Sequence, residues 1–186
     1  MATIPQRATL DDLYRAEGKA ELIGGRIVPL MATGFRPNRI AARIFRSLDD
    51  YAVTTGVGVA LTDNMGYAVR KLPSGRESFS PDASYYSGIL PTDLMQFIKG
   101  PPTFAVEVRS ESDYGGDAVE AELTAKRTDY FTAGTLVVWD VDPLGDQVFC
   151  YRATNPTQPT VFQRGQIADS EPAVPGWRIN VDAIFA

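Results

Sequence analysis

TFAVEVRSESDYGGDAVEAELTAKRTDYFTAGTLVVWDVD, residues 103–142, carries the order of elements that decides the fold. Its first seven residues follow Gly100-Pro101-Pro102 and are rich in β-forming types, which predicts a central strand with Glu107 towards its C-terminal end. Residues 117–133 read as a helix stopped by Gly134, and residues 135–142 return to the composition of a buried strand. Asp142-Pro143-Leu144-Gly145-Asp146 is then a turn, with QVFCYRA as its antiparallel partner. The expected class is therefore α/β, ordered strand, helix, strand, hairpin.

Upstream, stretches near 57–62, 66–72 and 77–86 are separated by Asp63-Asn64 and Pro73-Ser74-Gly75 and predict an antiparallel β meander. Apolar residues Ile40, Ile44, Phe45, Leu48 and Tyr51 share one helical face, so an amphipathic helix is expected from Pro37 to about Tyr51. AELIGGRIVPLM, residues 20–31, predicts a hairpin turning at Gly24-Gly25, and Thr9 reads as the N-cap of a short first helix. Downstream, the tail from Pro156 is expected to dock as a cover, with short extended pieces at 159–163 and 177–181. No repeat or linker divides the chain, and residues 1–186 are expected to form a single domain.

Composition removes several function classes. The chain has no histidine, which excludes Ser-His and Cys-His nucleophilic systems and imidazole metal sites. Cys150 is the only cysteine, so no thiolate cluster can form; it is expected inside a strand, and a reducing cytoplasm fits best. No basic-then-apolar leader or long apolar run points to secretion or a membrane. The net charge of −5 argues against a protein that coats nucleic acid. Arg36, Arg39, Arg43 and Arg46 fit a solvated helix face better than a phosphate path. Trp139, Tyr130, Phe131 and Phe149 fit packing better than base stacking.

Two acids interrupt otherwise β-forming sequence, Asp82 in SPDASYY and Glu107 in TFAVEVR. A charge on a central strand needs a partner. Two carboxylates converging across strands suit a hard cation such as Mg²⁺, which offsets phosphate charge and lowers the pKa of a bound water. For Asp82 the competing role is a Pro-Asp turn or cap. Lys126, on the following helix, either reaches over the acids or pairs with Glu122 at i,i+4 spacing. Arg109 offers phosphate contact or carboxylate pairing; it is too basic to accept a proton. Glu111, Asp113 and Asp117 around Gly115-Gly116 lack the ligand spacing of a calcium loop and are expected as a mobile polar loop.

The order ELIGGRIV (21–28), SPDASYY (80–86), TFAVEVRSESD (103–113), AKRTDYFTAGT (125–135) and LVVWDVDP (136–143) resembles the Uma-two family (domain of unknown function 820) of the PD-(D/E)xK nuclease superfamily. The likeness runs from about Thr9 to Phe185. It implies a restriction-endonuclease-like fold, a central mixed β-sheet flanked by helices. It also implies a Mg²⁺- or Mn²⁺-dependent DNA endonuclease with catalytic Glu21, Asp82, Glu107 and Lys126, of which Asp82 and Glu107 hold the metal. From its residues alone Glu21 is a solvated strand residue. ELIGGR replaces the family's ELIDGE, EVRSESD replaces EVLSPSD, and Asn38 stands where a histidine often opens the long helix, leaving Asn38 and Arg109 as substrate contacts. The alternative is an inactive member that binds protein or nucleic acid. A homodimer is expected for cutting two antiparallel strands.

Overall fold

The chain, described over residues 7–186 by a computed structural model, opens with α1 (Leu10–Tyr14), β1 (Ala20–Ile23), β2 (Arg26–Pro29) and α2 (Phe35–Thr55). β3 (Val59–Thr62), β4 (Tyr67–Ala68), β5 (Ser78–Phe79), β6 (Ala83–Tyr86), β7 (Ile98–Lys99) and β8 (Phe104–Val108) follow. After α3 (Asp117–Ala133) come β9 (Val137–Asp142), β10 (Gln147–Arg152), β11 (Asn155–Phe162), β12 (Ile167–Asp169), β13 (Arg178–Asn180) and α4 (Val181–Phe185).

Six strands make the central sheet in the order β11-β10-β9-β8-β6-β3. It is mixed: β8 and β9 run parallel, and every other pair is antiparallel. The parallel pair needs a crossover, and α3 supplies it. Gly134 ends α3 at φ 113, a conformation open to glycine, and donates its N–H to the carbonyls of Tyr130 and Phe131. The β1-β2 hairpin turns through Gly24 and Gly25, both at positive φ as a two-residue hairpin turn of this hand requires.

Three expectations need correction. The stretch 57–86 is antiparallel but spans two sheets: β3 pairs with β6 in the central sheet, while β4 pairs with β5 and, in parallel, with β7. The break falls at Ser80-Pro81-Asp82, where proline has no N–H to continue a ladder. α2 is longer than Pro37 to Tyr51, because a proline in the first turn costs no helical hydrogen bond. Residues 111–114 form a 3₁₀ turn, with Ser110 N and Oγ donating to Asp113 Oδ2 at 2.6 and 2.8 Å.

β11 outruns its expected length despite Pro156 and Pro159, which an edge strand tolerates. β12, which pairs with β13, carried no sequence signal. The tail docks as expected. Trp177 lies 5.2 Å from the Trp139 ring centroid and 5.8 Å from that of Phe104, and its Nε1 donates to Ser47 Oγ of α2. Cys150 is buried.

Successive side chains of a strand point to opposite faces. On β8 and β9, Phe104, Val106, Val108, Val137, Trp139 and Val141 join the core formed with α2 and the tail. Ala105 and Val138 join a smaller core with Tyr130 of α3, Tyr67 and Phe79. Each fully buried large side chain contributes about 1.5–3 kcal/mol. Glu107 and Asp140 stand opposite each other in register beyond that smaller core. Among the described residues no helix is long and apolar enough to cross a membrane.

Candidate active site

Asp82 sits where β5 gives way to β6. Its backbone N–H donates to Val106 O at 3.0 Å, continuing the β6-β8 ladder, and its Oδ2 accepts from Val108 N at 2.8 Å. The carboxylate is thereby tied to the end of the strand that carries Glu107. On Glu107, Oε1 accepts from the Tyr130 hydroxyl at 2.5 Å and Oε2 from Lys126 Nζ at 2.8 Å. Lys126 pairs across to the sheet rather than with Glu122, and its Nζ also lies 3.6 Å from Glu21 Oε1.

Glu21 is 2% exposed, so it is not the solvated residue its surroundings in the sequence suggest. β1 carries it inward, Ser80 N donates to its Oε1 at 3.0 Å, and Arg76 pairs with its other oxygen while donating to Asp129 at 3.0 Å. Glu21, Asp82, Glu107 and Lys126 therefore line one open cleft of about 1060 Å³.

The charges explain one another. Burial would raise Glu21, but Lys126, Arg76 and the Ser80 N–H outweigh it and hold the carboxyl below its ordinary range. Burial pushes Glu107 up; Lys126 opposes this, while Asp82 and Glu21 add to it. Burial works against the Lys126 ammonium, yet Glu107 and Glu21 hold its pKa above the ordinary value. Lys126 is thus a cation at neutral pH, suited to orienting water and balancing charge and unsuited to accepting a proton.

Arg109 also lines the cleft, where it takes the carboxylate-pairing role: it grips both oxygens of Asp140, at 2.7 and 2.8 Å, and reaches Glu120 at 3.0 Å. Asn38 is exposed in the first turn of α2 and is not among the residues that line the cleft. On the same helix Arg36 pairs with Asp146 and Arg43 donates to Ile184 O, while Arg39 is exposed.

Four residues of the site escaped sequence reasoning. Lys19 Nζ reaches Asp82 Oδ1 at 3.3 Å and pairs with Asp63; its signal is its place two residues before Glu21, at the entry to β1, where Leu30 N donates to its carbonyl. Tyr130 stands four residues after Lys126, on the same helix face. Asp140 interrupts an apolar strand as Glu107 does, and it binds Arg109 and Arg127. Arg76 had no signal.

Among the described residues no three Asp, Glu, Cys or His side chains form a metal cluster. Asp82 and Glu107 nevertheless offer two hard carboxylates facing one cleft, and Mg²⁺ is commonly held by one or two carboxylates plus waters and phosphate oxygens. The donor set fits such an ion.

No curated protein matches the chain. A solved structure from Anabaena variabilis, described as a putative nuclease belonging to DUF820, is 18% identical and superposes with a TM-score of 0.74. The alignment covers 95% of this chain and 97% of that one, a likeness that shows the fold. The Uma2 family, described as "putative restriction endonuclease", matches residues 7–182. With nearly its whole length matched, and with the mixed sheet expected of that family, the chain belongs to the Uma2 family.

Proposed function

We infer that the protein is a Mg²⁺- or Mn²⁺-dependent DNA endonuclease hydrolysing phosphodiester bonds at Asp82, Glu107, Lys126 and Glu21. The observation that carries this reading is the Lys126 ammonium, 2.8 Å from Glu107 and 3.6 Å from Glu21, in the cleft that Asp82 also lines. A divalent ion held by Asp82 and Glu107 would offset phosphate charge and lower the pKa of a water.

The protein's own groups do the rest. Val108 N–H and Tyr130 OH fix the two carboxylates, so neither has to reorganise when substrate arrives. Lys126 orients the attacking water and balances charge developing on the phosphate oxygens. Glu21 holds Lys126 from behind and is itself held by Arg76. Arg109 braces the cleft wall through Asp140. Two copies, each addressing one strand of a duplex, belong to this reading.

Plasmid cleavage by purified protein with Mg²⁺ or Mn²⁺ tests it, with Asp82→Ala and Lys126→Ala as controls. Metal-dependent cutting by the unaltered chain and none by the variants is expected. Equal activity in all three would sink the assignment.

A second reading, a nuclease fold that only binds, draws on one observation: acids outnumber bases among the lining residues, and Arg36, Arg76 and Arg109 are already paired. Retention of labelled DNA in the presence of Ca²⁺, with no cutting in Mg²⁺ or Mn²⁺, would favour it.

A further inference from the structure

The cleft acids differ in how firmly their partners are held. Glu21 is enclosed by Arg76, Lys126 and Ser80 N–H, and Glu107 by Lys126 and Tyr130. Removing any of those would leave a buried carboxylate short of a partner, which is costly. Among the described residues Asp82 forms one salt bridge, to Lys19, and Lys19 has a second berth.

That berth is Asp63, in the turn after β3 and half open to water. Lys19 Nζ already pairs more closely with Asp63 than with Asp82 Oδ1, which lies 3.3 Å away. A lysine stem is flexible, and its ammonium is a point charge with no fixed fork to satisfy. The cation on Asp82 can therefore leave without orphaning itself. An ammonium and a divalent ion sharing one carboxylate within about 4 Å would repel each other by several times thermal energy, even at an effective dielectric of about 20.

We propose that Lys19 is a built-in competitor for the divalent cation at Asp82, neutralising that carboxylate in the metal-free protein and withdrawing wholly to Asp63 when the metal enters. The proposal rests on the metal-site reading above and adds to it a residue that sets metal affinity. Lys19 is a positioning residue in this scheme: it governs when Asp82 is free and touches no reacting atom.

Calorimetric titration with Mn²⁺ alone tests it, on the full chain and on Lys19→Gln, Asp63→Asn and Arg36→Gln. Lys19→Gln should bind Mn²⁺ about tenfold more tightly. Asp63→Asn, which removes the retreat, should bind several-fold more weakly. Arg36→Gln deletes a cleft-wall charge that pairs with Asp146 and forms no salt bridge with Asp82, and it should stay within about twofold, since exposed charges are screened. Equal affinity of Lys19→Gln and the unaltered chain would overturn the proposal, as would equal tightening by Lys19→Gln and Arg36→Gln. Should Lys19→Gln fail to fold by circular dichroism, Asp63→Asn decides: unchanged or tighter binding overturns the proposal. Absence of Mn²⁺ binding in every protein would overturn the metal site as well. Tight Mn²⁺ binding without plasmid cleavage would strike only the nuclease reading.

Discussion

The two faces of β8 and β9 put the same strands to opposite uses. Towards α2 and the C-terminal tail they present Phe104, Val106, Val108, Val137, Trp139 and Val141, all buried in one apolar cluster. Towards α3 they present Ala105 and Val138 at one end, under Tyr130, and Glu107 and Asp140 at the other. The site does not interrupt the main core; it begins where the smaller core on the α3 side ends. Strand alternation thus separates the apolar core from the charged cleft by the thickness of one sheet.

That separation can be tested from both sides. The largest expected effect is on the dry face: Trp139→Ala should cost about 3–5 kcal/mol in urea denaturation, because Trp139 is fully buried between Phe104 and Trp177. Cleavage per folded molecule should be unchanged, and a loss beyond the unfolded fraction would show that the faces are coupled.

On the charged face, Lys126→Met should cut cleavage by about 10²–10³-fold, the usual cost of losing one preorganised charge contact. Tryptophan fluorescence should barely move, since Trp139 and Trp177 lie in the opposite core. A red-shifted spectrum would mean that the site also supports that core.

Acid should reveal the charged face at equilibrium. The folded state holds Glu21 below the ordinary 4.5, so its contribution is fully present above that value and is lost as pH falls through the folded pKa. Glu21→Gln should flatten the decline of Tm below about pH 4.5 while lowering Tm near neutrality, because Arg76 loses a buried partner. An unaltered acid slope would remove Glu21 from the acid response.

The smallest effect is expected far from both faces. Thr9 caps α1 by accepting from Asp12 N, and Thr9→Ala should cost about 1 kcal/mol with cleavage untouched.

Legibility in the sequence followed the range of each interaction. α3 was readable at both ends because its stop, Gly134, is local, and the β1-β2 hairpin because Gly24-Gly25 specifies its own turn. Glu107 stood out because a charge amid Phe104, Ala105, Val106 and Val108 needs a partner. Asp140 sends the same signal from β9 and was passed over. Glu21 was legible only through the ordered family resemblance, since nothing beside it announces burial. The split of residues 57–86 between two sheets was hidden, because β4 and β5 are two residues each and pair through distant partners.

The sequence by itself determined the strand, helix and strand order around Glu107, the absence of imidazole chemistry, and the acids from which a site could be built. Those properties depend on backbone preference and on side-chain type, which act over a few residues. Only the tertiary structure decided that Lys126 faces Glu107 and Glu21, that Arg76 neutralises Glu21 from 55 residues away, and that Lys19 stands between Asp82 and Asp63. Long cationic side chains choose partners by where strands and helices converge, and that convergence is a property of the packed chain alone.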